Sequence, residues 1–197
     1  LLAESESLKC GRDNNKKFEI YKEAGECYER IEKYNEAIRC FKKSLIYLKD
    51  NISNTRENNT LYSKNTYYDY IGVNDSIVRN YTMIEKYDCA IEYEKDTLNI
   101  IKNYIGKNKY YNPSVYELAQ KYVDIGSLYL KDKNYDKSED HYINAMKCYE
   151  KNEEENIDKV IYMYNKLIDI YKLKNDIENR VFYESKLKNI ANDELEL

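Results

Sequence analysis

The segment Tyr28-Glu-Arg-Ile-Glu-Lys-Tyr34-Asn-Glu-Ala37-Ile38 recurs as Tyr81-Thr-Met-Ile-Glu-Lys-Tyr87-Asp-Cys-Ala90-Ile91. A third copy, Tyr129-Leu-Lys-Asp-Lys-Asn-Tyr135-Asp-Lys-Ser138-Glu139, keeps the tyrosines and puts a small residue where the alanine stood. Internal repetition of this kind builds a chain from stacked units, each too small to bury its own apolar face. Stacked units present an extended surface, which favours binding over catalysis.

The residues of one copy explain the stacking. Gly25 and Tyr28 lie three apart, on one helical face. A site without a side chain lets the neighbouring helix approach, and the Tyr28 ring is expected to fill the space beside it. Glycine in a helix interior costs about 1 kcal/mol against alanine, which close packing must offset. Ala37, Phe41 and Ser44 repeat a small-large-small alternation at spacings of four and three. Short turns separate the paired helices at Glu32-Lys33, Glu85-Lys86 and Asp132-Lys133-Asn134.

The unit resembles a tetratricopeptide repeat, a pair of helices with small and aromatic residues at fixed places. Copy one fills them with Ala24, Gly25, Tyr28, Ala37, Phe41 and Ser44, and copy three with Gly126, Tyr129, Tyr135, Ser138, Tyr142 and Ala145. Copy two is looser, with Val78, Tyr81, Tyr87, Ala90, Glu94 and Thr97. A fourth keeps Ile168, Tyr171 and Ile177 but sets Arg180 and Glu184 at the small and aromatic places. The resemblance implies an all-α fold, a right-handed α-solenoid of about four antiparallel helix hairpins. Tyr34 to Tyr87 spans 53 residues, Tyr87 to Tyr135 spans 48 and Tyr135 to Ile177 spans 42. Each exceeds the usual period of about 34, so helices or inter-unit loops are lengthened. Longer units resemble kinesin light chains, the Pins/LGN-type scaffolds and the soluble NSF-attachment proteins. Glu94-Lys-Asp-Thr-Leu-Asn-Ile100 is similar to the second-helix pattern of the Pins/LGN group, and the opening Leu1-Leu-Ala-Glu4 is faintly similar to an attachment protein.

Along the chain, residues 1–15 read as a frayed segment ending in a turn, Gly11-Arg-Asp-Asn-Asn15. A repeat domain over 16–192 follows, with units at about 16–49, 60–105, 113–151 and 155–192, then a tail at 193–197. Asp50 to Asn59 carries turn formers and no apolar period, so it reads as a loop, as does Asn108 to Asn112. Gly72 could kink its helix, Gly106 suits a helix C-terminus, and Pro113 fits a first helical position capped by Asn112.

Composition closes off several classes. With 35% charged and 42% hydrophobic residues, a single proline and five glycines, the chain suits surface-rich helices better than disorder or an all-β fold. No apolar run approaches the roughly 18 residues of a membrane span. A net charge of −4, with bases interleaved among acids, argues against nucleic acid. Cys10, Cys27, Cys40, Cys89 and Cys148 are odd in number and lack paired spacing, which points to reduced thiols and a cytoplasmic setting. Sequons at Asn51, Asn58, Asn74 and Asn80 are expected by chance in an asparagine-rich chain, and the 24 tyrosines reflect a biased composition. Most of those rings fall at helical spacing and should be buried or half-buried.

Catalytic chemistry finds no support. His141 is the sole histidine, the cysteines cannot assemble a zinc site, and no glycine cluster could cradle phosphate. No cofactor, metal or enzymatic activity is expected. The resemblance instead implies a partner groove along the first helix of each pair. Carried over, the groove takes Lys22, Arg30, Arg79, Met83, Val123, Ser127, Leu130 and Lys131. Further groove positions carried over are Glu19, Glu26 and Glu29, Asp75 and Thr82, Gln120, and Tyr162, Asn165, Asp169 and Lys172. A chaperone-tail clamp is disfavoured, because Lys22 matches its lysine but Glu26 and Ser127 replace other required places. The expected function is a scaffold or adaptor that seats a peptide or amphipathic helix of another protein, with Arg79 or Lys131 pairing an acidic flank. An attachment-protein-like factor in vesicle fusion and a structural module of a motor or ciliary assembly are the alternatives.

Overall fold

The computed structural model describes residues 2–54, 64–105, 113–150 and 153–193, with side chains over 13–49, 64–105, 113–150 and 156–190. Among these the chain forms eight helices and no strand. They are α1 (Leu2–Arg30), α2 (Tyr34–Asn54), α3 (Lys64–Met83), α4 (Tyr87–Tyr104), α5 (Val115–Lys131), α6 (Tyr135–Tyr149), α7 (Glu153–Lys174) and α8 (Ile177–Asp193). Two compact units result: Leu1–Thr97 with Asn103–Asn112, and Leu98–Lys102 with Pro113–Leu197.

Every hairpin turn is built alike. Lys33, Lys86, Asn134 and Asp176 donate their backbone N–H to the carbonyls of Tyr28, Tyr81, Tyr129 and Tyr171 at 2.8–2.9 Å. The preceding residues Glu32, Glu85, Lys133 and Asn175 donate to Glu29, Thr82, Leu130 and Lys172, which completes a Schellman motif in each turn. Those four residues sit at φ of 56–61°, the left-handed region that favours glycine. The residue that closes the first helix also starts the second, since Ala37, Ala90, Ser138 and Arg180 donate back to the carbonyls of Lys33, Lys86, Asn134 and Asp176. Asn134 and Asp176 add side-chain caps to the N–H groups of Lys137 and Asn179. Lys33 and Lys86 have no acceptor to offer at the same place.

In the first unit α1 packs on α2, and α2 on α3. The close approach falls at Gly25, where an added β-carbon would lie 2.7 Å from the Phe41 ring. The ring that exploits the glycine is thus Phe41 of the second helix. Tyr28, expected there, lies one turn further along the same face of α1 and stands partly exposed. Between α3 and α4, Asn74 donates to Thr97 Oγ1 at 3.1 Å, and Tyr67 meets Tyr104 at 5.1 Å between ring centroids.

The second unit repeats the contact. A β-carbon on Gly126 would lie 3.2 Å from the Tyr142 ring, and the Ser138 hydroxyl donates to the Gly126 carbonyl at 2.7 Å. Around it Ala119, Ala145, Met146, Tyr149, Met163, Leu167 and Tyr171 make a continuous core, closed on the α8 side by Tyr183. Lys174 bridges Asp136 at 2.7 Å and Glu139 at 2.6 Å, while the Tyr171 hydroxyl donates to Glu139 at 2.7 Å.

Several local expectations are corrected. α1 starts at Leu2 and runs through Gly11 to Asn15 without a turn, with Asn14 buried. α2 continues to Asn54, past the expected loop start at Asp50. α3 runs through Gly72 as one helix, since glycine permits a bend without requiring one. The non-helical residue lies instead in α7, at Asn156 (φ −123°, ψ 15°). Ser114, rather than Asn112, caps α5: its hydroxyl accepts from the Glu117 N–H at 3.1 Å, and Glu117 answers in a capping box. Pro113 therefore precedes the cap. Gly106 and Asn108–Asn112 lie outside the described residues. The sequon residues Asn74 and Asn80 are both fully buried in α3.

Candidate partner-binding surfaces

In the first unit the groove positions come from α1 and α3, and their charges largely face one another. Arg79 grips Glu29 with both arms of its guanidinium, Nε on Oε1 and Nη2 on Oε2 at 3.0 Å, and Nη2 also donates to Ser76. This pairing holds the Arg79 pKa above its ordinary value despite partial burial. Lys22 lies 3.5 Å from Glu19 and 3.9 Å from Asp69. Burial raises the Asp69 pKa, against the lowering influence of Lys22. Arg30 folds back onto its own helix, donating to the Glu26 carbonyl at 3.3 Å. Met83, by contrast, stands 56% exposed. Arg79 and Lys22 are thus brought together with carboxylates of this chain, and Met83 is left open.

In the second unit the positions come from α5 and α7. Val123 is only 8% exposed and belongs to the core, because it shares the apolar stripe of Ala119 on α5. Leu130 is half-buried against the same core. Ser127 exchanges a hydrogen bond with the Tyr142 hydroxyl at 2.9 Å, and burial pushes the Tyr142 pKa up. Lys131 is exposed at the end of α5. On α7, Tyr162, Asn165, Asp169 and Lys172 form an exposed stripe at spacings of three and four.

Two exposed aromatics complete these faces and were not singled out from sequence. Tyr68 on α3 is 48% exposed and Tyr116 on α5 is 46% exposed. Each lies thirteen residues before the hairpin tyrosine of its own copy, Tyr81 or Tyr129. The repeat alignment itself was the signal that could have found them. Tyr68 is also three turns before Arg79, on the same side of α3. Among the described residues no group of three or more His, Cys, Asp or Glu side chains could hold a metal ion. No helix there is long and apolar enough to cross a membrane.

No protein family's sequence profile matches the chain, and no curated protein is similar to it in sequence. Solved structures do match. The apo form of RapI is similar over 92% of this chain, with a TM-score of 0.64 and 17% identity. BtubC (BKLC) from P. vanneervenii is similar over 89%, with a TM-score of 0.60 and 15% identity. MamA is similar over 91%, with a TM-score of 0.53 and 18% identity. The fold is of the tetratricopeptide type. The tetratricopeptide-type match covers 44% of the RapI chain, 63% of the BtubC chain and 81% of the MamA chain. The chain therefore spans less than two thirds of the first two proteins.

Proposed function

We propose that the chain is a non-enzymatic adaptor, whose first helices seat an extended peptide or amphipathic helix of another protein. The observation that carries this reading is the pairing of an exposed aromatic with an exposed thioether on one side of α3, Tyr68 and Met83. Large apolar side chains kept at the surface, rimmed by polar groups, suit an anchored partner. Lys22, Arg30, Ser127, Leu130 and Lys131 flank the anchors in this reading, and Val123 belongs to the core against which Leu130 packs. Arg79 acts through Glu29, so an acidic flank on the partner would have to displace that carboxylate. A cytoplasmic setting accords with the free thiols of Cys27, Cys40, Cys89 and Cys148.

The test is a binding titration against the partner recovered by affinity purification. Tyr68→Ala combined with Met83→Asp is expected to weaken binding about tenfold or more, with an unchanged melting curve. Full affinity in the folded double variant would refute the assignment. Val123→Asp is unsuited to this purpose, because it buries a charge in the core.

A further inference from the structure

Helix α2 differs from the other seven helices in carrying a surplus of basic residues, Arg39, Lys42, Lys43 and Lys49 against Glu36 and Asp50. None of these four cations joins an ion pair among the described residues. Elsewhere Lys22, Arg79, Lys121, Lys172, Lys174 and Arg180 each meet a carboxylate. The α2 lysines are instead laid over tyrosine rings. Lys43 lies 5.2 Å from the Tyr21 centroid and Lys49 lies 5.5 Å from that of Tyr70. Lys42 sits 5.1 Å from Tyr81 and 5.4 Å from Tyr93, and donates to the Tyr81 hydroxyl at 2.6 Å. Their stems are ordered before any partner arrives, which lowers the entropic cost of engaging one. Between them Ile46 projects, 57% exposed.

We propose that the outward face of α2 docks an acidic helical segment of another protein, a surface separate from the first-helix faces. Arg39, Lys43 and Ile46 follow one another at spacings of four and three, so they share one side of the helix. From Arg39 to Lys49 the charges extend over about 15 Å. A helix with carboxylates at matching intervals and one aliphatic side chain would satisfy both the charge and Ile46. Nucleic acid fits less well, because the tyrosines lie beneath the lysines and offer no open stacking face. A lone isoleucine is too little apolar surface to hold a helix in a bilayer.

The test titrates the full chain into a labelled synthetic helix of about 18 residues, with glutamates one turn apart and a central leucine. Binding is expected to weaken at least about tenfold with Arg39→Glu plus Lys43→Glu, and to weaken as salt rises from about 50 to about 200 mM. Ile46→Ser should weaken it at either salt. A lysine-for-glutamate version of the helix should bind the charge-reversed variant and not the parent. Tyr68→Ala with Met83→Asp should leave this binding intact, which separates the surface from the proposed groove. Equal affinity for parent and folded variant, no binding of the acidic helix, or tighter capture by polyuridylate or phosphatidylserine vesicles would each overturn the proposal.

Discussion

Three glycines in three helices meet three different surroundings. At Gly25 an added methyl would fall 2.7–2.9 Å from three carbons of the Phe41 ring, which is fully buried and cannot swing aside. Gly25→Ala is expected to cost about 1–3 kcal/mol. At Gly126 the nearest ring atoms are 3.2 Å away, and a smaller loss is expected there. Gly72 has nothing within 4 Å, so Gly72→Ala should stabilise by about 0.5–1 kcal/mol through helix propensity alone. Urea midpoints of the three variants check the order, and a stabilising Gly25→Ala would contradict the packing described.

At the scale of elements, the turns hold unused stability. Glu32 and Glu85 occupy left-handed backbone that glycine adopts freely, and Lys33 and Lys86 begin the next helix without a capping oxygen. Glu85→Gly and Lys86→Asp are each expected to add about 0.5–1 kcal/mol, read as a rise in thermal midpoint. A fall with Lys86→Asp would mean that Lys86 has a role the turn geometry does not show. Such turns were legible in sequence because the paired tyrosines recur in three copies, with Ile-Glu-Lys between them in the first two. Helix ends were less so. Ser114 outcompeted Asn112 because Glu117 lies three residues beyond it and completes the capping box, a reciprocal pair that outweighs the pull of Pro113. Polar residues 11–15 read as a turn, yet they continue α1, and Asn14 is buried in it. The proposed groove was drawn only as a set of positions. Alignment assigns Arg79 to α3 and Val123 to α5, but whether a side chain is paired with Glu29 or turned inward depends on the neighbouring helix.

For the whole molecule, alkaline pH is the sensitive direction. Burial pushes the Tyr149 pKa up to about 12, and Tyr171 is raised by burial and by Glu139. Lys174 is raised through its hydrogen bonds to Asp136 and Glu139. All three hold their protons longer folded than unfolded, where tyrosine and lysine release theirs near about 10–10.4. The folded chain therefore binds more protons above that point, and stability should fall as pH rises through it while staying flat, as far as these groups go, below about 9. Melting temperatures across pH 8–11 check the sign, and Tyr149→Phe should flatten the descent. Another outcome follows from the two asparagines buried in α3. Asn74-Asp-Ser76 and Asn80-Tyr-Thr82 are both acceptors for carbohydrate while the chain is extended, yet each amide is sealed once the helices close. Sugar added to a nascent chain would have no room at either buried amide, so glycosylation at these sites and native folding are mutually exclusive fates.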